Sequence, residues 1–207
     1  MSRMLKQYVL FGISIFVVGS AITLITRAGL GATAVTSLPF VISQIYGISF
    51  GFMTGIFNFL WVLLQLFIQK RSFPKIQFLQ FGVSFLLGLS VDVSNYIFQF
   101  INPQNYVAQV SLLIIGCLVM GFGVFLQLKA NAIYNPAEGI VAVLSNYIDK
   151  PFGMIKSLFD ITLVILSIIL GLTVTGRVTG IREGTVISAF IIGPFAGLFQ
   201  KIFNRKL

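Results

Sequence analysis

The sequence predicts an all-α polytopic membrane protein, with six transmembrane helices as two inverted three-span repeats, each with a short re-entrant or interfacial helix. Three observations predict it. Of 207 residues, 57% are hydrophobic and only 9% charged, with a mean hydropathy of +1.00. A soluble domain carries about 25% charged residues to cover its surface. Six apolar runs approach or exceed the ~20 residues that cross a bilayer. A self-similarity at an offset of 102 residues divides the chain into halves.

The first run, about 8–26, follows Arg3 and Lys6 as the apolar core of a signal peptide would. It is long for one and reaches Arg27 without a small-residue cleavage site, so it reads as a span. Further spans fall at about 50–69, 77–100, 107–128, 154–173 and 184–203. Two stretches of about 14 residues, 33–46 and 136–148, are too short to cross and long enough for a re-entrant or interfacial helix. Asn135-Pro136 opens the second, asparagine as N-cap and proline in the first turn. The chain forms one membrane domain, 1–207, with repeats at about 8–101 and 107–203.

Basic residues set the orientation. With six spans and the N-terminus inside, 11 Lys and Arg lie inside: Arg3, Lys6, Lys70, Arg71, Lys75, Lys129, Lys150, Lys156, Lys201, Arg205 and Lys206. Only Arg27, Arg177 and Arg182 lie outside. Crossing by the short stretches would move Lys70, Arg71 and Lys75 out and shrink this asymmetry. Both termini are therefore expected in the cytoplasm.

At the 102-residue offset, nine of 45 positions between 19–63 and 121–165 are identical, among them Gly19/Gly121, Ser43/Ser145, Phe50-Gly51/Phe152-Gly153 and Phe57/Phe159. Arg27 pairs with Lys129, and Asn58 with Asp160. Three crossings per half invert the second half relative to the first, a recurring transporter design with interrupted elements at the midplane. The two short helices would then point their N-termini at a shared centre. Such ends offer free N–H groups and partial positive charge, which favour anions. Lying flat at the interface is the alternative.

With no histidine and one cysteine, Cys117, an intrachain disulfide is excluded, and haem, zinc or iron–sulfur centres lose their usual ligands. No cofactor is expected. A Ser-His pair is impossible and no phosphate-binding loop is present, so an enzyme is not expected. The net charge of +9 reads as topology rather than nucleic-acid binding. Asn135-Pro136-Ala137 spells a water-channel signature, but the matching Thr33-Ala34-Val35 does not repeat it.

The stretch Arg27-Ala28-Gly29-Leu30-Gly31, and Gly184-Thr185 followed by Gly193-Pro194, resemble the glycine motifs of the YczE/YitT-like bacterial membrane proteins. The likeness covers nearly the whole chain. It implies an integral protein of the bacterial cytoplasmic membrane, in a family sometimes described as transporters. Members often show Pro-aromatic-Asp after the first glycine motif. This chain has Ala34-Val35-Thr36, which leaves Thr36 where the acid would stand and Glu138 as its repeat partner.

Five acids exist. Asp149 beside Lys150 and Glu183 beside Arg182 read as solvated. Asp92, Glu138 and Asp160 fall in apolar segments, where a carboxylate costs about 2.5–3.5 kcal/mol and faces a cavity or a partner. They would couple protons or cations, or bind a cationic group. Alternatively, Glu138 or Asp160 is paired with Lys129 or Lys156. Arg27 and Lys129 would clamp an anion, or snorkel at span ends. Asn58, Gln65, Asn95, Gln127 and Asn131 are polar residues in or beside spans, and Trp61 is mid-span. Trp61, Asn58 and Asp160 are expected on one cavity. Gly51/Gly55 and Gly193/Gly197 have the spacing of close helix packing.

The leading expectation is a small secondary transporter for a small polar or anionic metabolite, proton-coupled through Glu138 and Asp160. The candidate binding residues are Glu138, Asp160, Asp92, Arg27, Lys129, Asn58, Thr36 and Asn135. The alternatives are a substrate-binding subunit of an energy-coupling-factor transporter, for which a clear Ala-x-x-x-Ala docking stretch is missing, and a non-transporting membrane partner. The lipid bilayer and an unidentified small molecule are the expected partners, with a homodimer or a partner membrane protein permitted. Alkaline phosphatase fused after Arg177 should be active, and the same reporter after Leu207 inactive. Activity after Leu207 would contradict the orientation.

Overall fold

Long apolar runs can satisfy their backbone away from water within one segment only as α-helices. The computed structural model describes residues 3–204 apart from Asn131 and Tyr134. Asn131, Arg205 and Lys206 therefore lie outside the described residues, as does the side chain of Arg3. The helices are α1 (Arg3–Arg27), α2 (Ser37–Tyr46), α3 (Phe50–Gln69), α4 (Leu79–Ile97), α5 (Tyr106–Ala130), α6 (Pro136–Ile148), α7 (Phe152–Thr175) and α8 (Glu183–Asn204). Two 3₁₀ turns, Lys70–Ser72 and Lys75–Phe78, join α3 to α4. All six predicted spans are helices long and apolar enough to cross a bilayer, which makes this a multi-pass membrane protein. Phe67 and Phe190 are 75% and 76% exposed, a surface that lipid rather than water covers.

Element edges moved where a specific contact ends a helix. Positions 33–36 form a turn, and α2 starts only at Ser37 with Thr36 as its N-cap. Gly29 and Gly31 bend the chain ahead of it at φ +72° and +107°, conformations that glycine adopts without strain. The run 77–100 ends as helix at Ile97, because Arg27 takes the carbonyls of Asn95, Gln99 and Ile101.

The most extensive seam is α1 against α5, which run antiparallel. A Cβ on Gly116 would stand 2.8 Å from the Ile25 side chain, and one on Gly123 2.7 Å from that of Val18. Ile15, Ile22, Ile25, Leu113 and Cys117 fill the core. α4 packs on α1, where Ser20 and Ser94 share a 3.0 Å hydroxyl bond. α8 packs on α5 over Gly121. α3 packs on α4 through Gly51, Gly55 and Gly88: a Cβ on Gly88 would lie 2.6 Å from the Gly51 carbonyl oxygen and 3.2 Å from the Gly55 Cα. The Gly51/Gly55 spacing thus serves packing within the chain.

The short helices take the remaining space. Both α2 and α6 pack against α3 on one side and α7 on the other. α7 meets the rest of the bundle chiefly through them, and its neighbour in sequence, α8, is not packed along it.

A methyl group at Gly88 therefore meets backbone, whereas one at Gly82 meets nothing within 4 Å. Gly88→Ala should cost about 1–3 kcal/mol of stability in detergent unfolding. Gly82→Ala should be neutral or gain up to about 1 kcal/mol. Equal effects would mean that the α3·α4 seam is not a close approach.

Candidate functional site: two short-helix N-termini between α3 and α7

The start of α6 is held by amides. Asn135 is its N-cap and Pro136 its first residue, and the Gly139 N–H reaches the Asn135 carbonyl at 2.8 Å. From α3, the Gln65 Nε2 donates to the Pro136 carbonyl (3.1 Å) and to the Gln80 Oε1 of α4 (2.9 Å). Gly139 makes room for this amide, since a Cβ there would stand 2.7 Å from the Gln65 Oε1. Gln65 and Gln80 are fully buried, yet the Gln65 Oε1 and Gln80 Nε2 have no partner among the described residues. The Asn135 Oδ1 is also buried and unpaired, and Asn135 makes no side-chain cap bond. Each buried orphan costs about 1–3 kcal/mol. Three orphans around one helix start leave both donor and acceptor capacity there that no described residue uses.

Glu138 lies in the first turn of the same helix, among the charges of Lys156 and Asp160 on α7. It is partly buried. Lys156 Nζ donates to both Asp160 carboxylate oxygens at 2.5 Å. Two acids and one base thus share this region, and Lys156 is the partner of Asp160. Trp61 lies edge-on to Phe159, the residue before Asp160, at 5.1 Å between centroids. Asn58 is buried on the same helix as Trp61 and donates to the Thr54 carbonyl at 2.8 Å.

The start of α2 rests higher on the same face of α7. Ser167 donates to the Ser37 hydroxyl at 2.9 Å, and Thr33 and Thr36 share a 2.7 Å hydroxyl bond. Lys156, Asp160, Leu163 and Ser167 follow the spacing of one helical face. Asp160 and Ser167 are seven residues apart, about 10 Å along the axis. One face of α7 thus meets the start of α2 at Ser167 and faces Glu138 of α6 with Lys156 and Asp160, while Thr36 and Asn135 are the N-caps of the two short helices and Asn58 lies buried on α3.

The other predicted residues lie elsewhere. The Asp92 carboxylate accepts from the Gly51 N–H (2.9 Å) and from the Ser49 hydroxyl, which in turn accepts from the Phe52 N–H (3.0 Å). It fixes the start of α3. Arg27 closes the end of α4 with bonds of 2.8 to 3.4 Å. Lys129 is exposed, 5.7 Å from the Phe125 ring centroid. Gly116 meets Ile25 and Gly123 meets Val18, which sets the α1·α5 register. In that register Arg27 and Lys129 stand about 22 Å apart along the seam, so the structure does not join them in a clamp.

Beside Arg27, a cavity of about 490 Å³ is lined by Gly29, Gly31, Gln44, Asn95, Thr179 and Arg182, among others. Arg182 donates to the Gly29 carbonyl (3.0 Å) and pairs with Glu183 (3.0 Å). A Cβ on Gly31 would lie 2.5 Å from the Thr185 Oγ1, so this motif brings the α1–α2 turn against the start of α8. A groove of about 600 Å³ along α3 is lined by Leu60, Leu63, Leu64 and Phe67 and is apolar, the character of a lipid-facing surface.

The predicted site omits Gln65, noted only as a polar residue of its span, and sequence reasoning missed Gln80 altogether. It stands at the edge of its span, where a polar residue is ordinary. Its signal was the position one turn before Ser84, which places both on the buried face of α4.

One protein-family model matches residues 5–201. The chain belongs to DUF6198, a family of unknown function. The match takes in every residue of the α6 site and both glycine motifs. No curated protein matches the chain, and no solved structure does.

In this DUF6198 protein the Lys156–Asp160 pair is about three-quarters buried, with side chains 27% and 24% exposed. Asp160→Asn should lower unfolding stability by about 1.5–3 kcal/mol, since hydrogen bonds to charged groups are worth that much. Lys156→Met/Asp160→Leu should recover most of the loss, because an apolar pair replaces a sheltered ion pair at little cost. A double variant no better than the single one would show that the charges serve more than each other.

Proposed function

We propose that this DUF6198 protein is a small secondary transporter of the bacterial cytoplasmic membrane. It would carry a small polar or anionic metabolite and couple to protons through Glu138. The observation that carries the reading is the unpaired amide set of Gln65, Gln80 and Asn135 at the start of α6, beside Glu138 and the Lys156–Asp160 pair. Donors, acceptors and charges gathered at a buried helix start suit a ligand with polar groups of both kinds.

Helix pairing supports the inverted-repeat reading. Under the 102-residue offset α1 corresponds to α5, α2 to α6, α3 to α7 and α4 to α8. The contact of α1 with α4 has its counterpart in α5 with α8, α2 with α3 in α6 with α7, and α2 with α7 in α6 with α3. In this reading the short helices are re-entrant, and their starts face the centre from opposite sides. The basic-residue distribution supports cytoplasmic termini, and the likeness to YczE/YitT-like proteins supports the membrane assigned.

The test is a thermal-shift screen of detergent-purified protein against carboxylates, amino acids, phosphates and vitamins. A ligand at 100 times its dissociation constant adds about 2.7 kcal/mol, a rise of a few degrees in melting temperature. The expected hit stabilises the wild type and is lost in Glu138→Gln, whose own melting temperature stays near the wild-type value. An equal shift in the variant would remove Glu138 from the site, and wild-type flux through it would remove the coupling role.

A further inference from the structure

The cavity of about 490 Å³ beside Arg27 is separate from the α6 site. Its walls come from the α1–α2 turn, the second half of α2, the start of α3, the last turn of α4 and the α7–α8 loop, with no residue of α5, α6 or α7. Its size is that of a small-molecule site, where apolar walls surround a few placed polar groups. The lining has both characters. Phe40 and Phe50 form an edge-to-face pair with centroids 5.1 Å apart. Ser43 and Thr26 are spent on the carbonyls of Ile48, Ile22 and Thr23. The side-chain amides of Asn95 and Gln44 bond to no described residue.

Arg182 is held on two sides at this cavity. Its Nη1 donates to the Gly29 carbonyl (3.0 Å), and its Nε and Nη2 donate to the Glu183 carboxylate (3.3 and 3.0 Å). A guanidinium has five N–H groups in one plane. These bonds use three, which leaves one on each terminal nitrogen. Two such groups match the two oxygens of a carboxylate. The Arg182–Glu183 pair is about half-exposed, and exposed pairs are weak, so Glu183 does not saturate the cation. None of the lining residues is acidic. Arg27 adds a second cation behind the wall. It bonds only to the Asn95, Gln99 and Ile101 carbonyls, and its buried Nε has no partner among the described residues. Asp92, one turn before Asn95, is committed to Gly51 and Ser49.

We propose that this cavity binds a small monocarboxylate with an apolar body. Arg182 receives the carboxylate through its two remaining N–H groups, and Phe40 and Phe50 cover the body. Arg27 adds a favourable field from behind Thr26 and Asn95. The site is a second one, apart from Glu138, and does not rest on the transporter reading.

The test is titration of the detergent-purified full chain with 4-fluorobenzoate, a carboxylate on one flat ring, followed by fluorine NMR. Saturable binding with a Kd on the order of 1 mM is expected, with the same value in Glu138→Gln. Arg182→Gln should weaken it by about tenfold or more, because hydrogen bonds to a charged group are lost. Arg182 also ties the α7–α8 loop to Gly29, so a second pair of variants reads charge alone. Gln44 is exposed and its side chain bonds to no described residue. Gln44→Glu should weaken binding by about threefold and Gln44→Lys should tighten it by a similar factor. 4-Fluorobenzamide, which has the same shape without the charge, should not displace the probe. Absence of saturable binding up to about 20 mM would overturn the proposal. So would an unchanged Kd in Arg182→Gln, equal affinities in the two Gln44 variants, or displacement by the benzamide. Binding lost in Glu138→Gln and kept in Arg182→Gln would also overturn it, and would give the probe to the α6 site.

Discussion

Helices of 10 and 13 residues cannot cross a bilayer, and a helix start leaves N–H groups that its own turns cannot satisfy. In hydrocarbon each such group costs several kcal/mol. The starts of α2 and α6, enclosed between two long helices, lie where those helices carry polar atoms. α3 supplies Gln65 at the start of α6, and α7 supplies Ser167 at the start of α2. Thr54, Asn58 and Gln65 on α3, and Lys156, Asp160 and Ser167 on α7, are spaced for one face each. The polar stripes inside two apolar helices run alongside the short ones.

The same requirement explains where the site fails to close upon itself. The C-terminal ends of the short helices are finished locally, by Gly47 and Asp149 in left-handed conformation with N–H groups returned to the Ser43 and Ser145 carbonyls. Their N-terminal ends make no side-chain cap bond, and polar side chains of other helices meet them. At α2 the hydroxyls of Thr33, Thr36, Ser37 and Ser167 bond one another or nearby carbonyls. At α6 the amides of Gln65, Gln80 and Asn135 are left with spare capacity. The halves are alike in helix pairing and unlike in saturation, which is why the ligand reading settles on α6.

Much of the architecture was legible in the sequence because hydropathy is written residue by residue. The stretch 136–148 coincides with α6, since asparagine, proline and a sharp change of polarity bracket it. The stretch 33–46 was read as longer than α2, because the two bent glycines before it carry no hydropathy signal. Glu138 and Asp160 were legible as acids out of place. The employment of Asp92 and Arg27 at the helix ends of α3 and α4 was not, because it depends on contacts across 41 and 68 or more residues. Gln80 was missed because its partner, Gln65, stands 15 residues away on another helix. Arg27 and Lys129 show the converse error, matched in the repeat yet set at opposite ends of an antiparallel seam.

The central claim of the proposed function is that the starts of α2 and α6 share one water-accessible centre between α3 and α7. Its most direct measurement is substituted-cysteine accessibility at Asn58, Asn135 and Ser37, in Cys117→Ala protein held in oriented membrane vesicles. The account predicts labelling by a membrane-impermeant thiol reagent at Asn58, Asn135 and Ser37, with lipid-facing Phe67 and Phe85 unlabelled. Protection of Asn58 and Asn135 to the level of those two phenylalanine positions would contradict it, and would leave α2 and α6 as structural props.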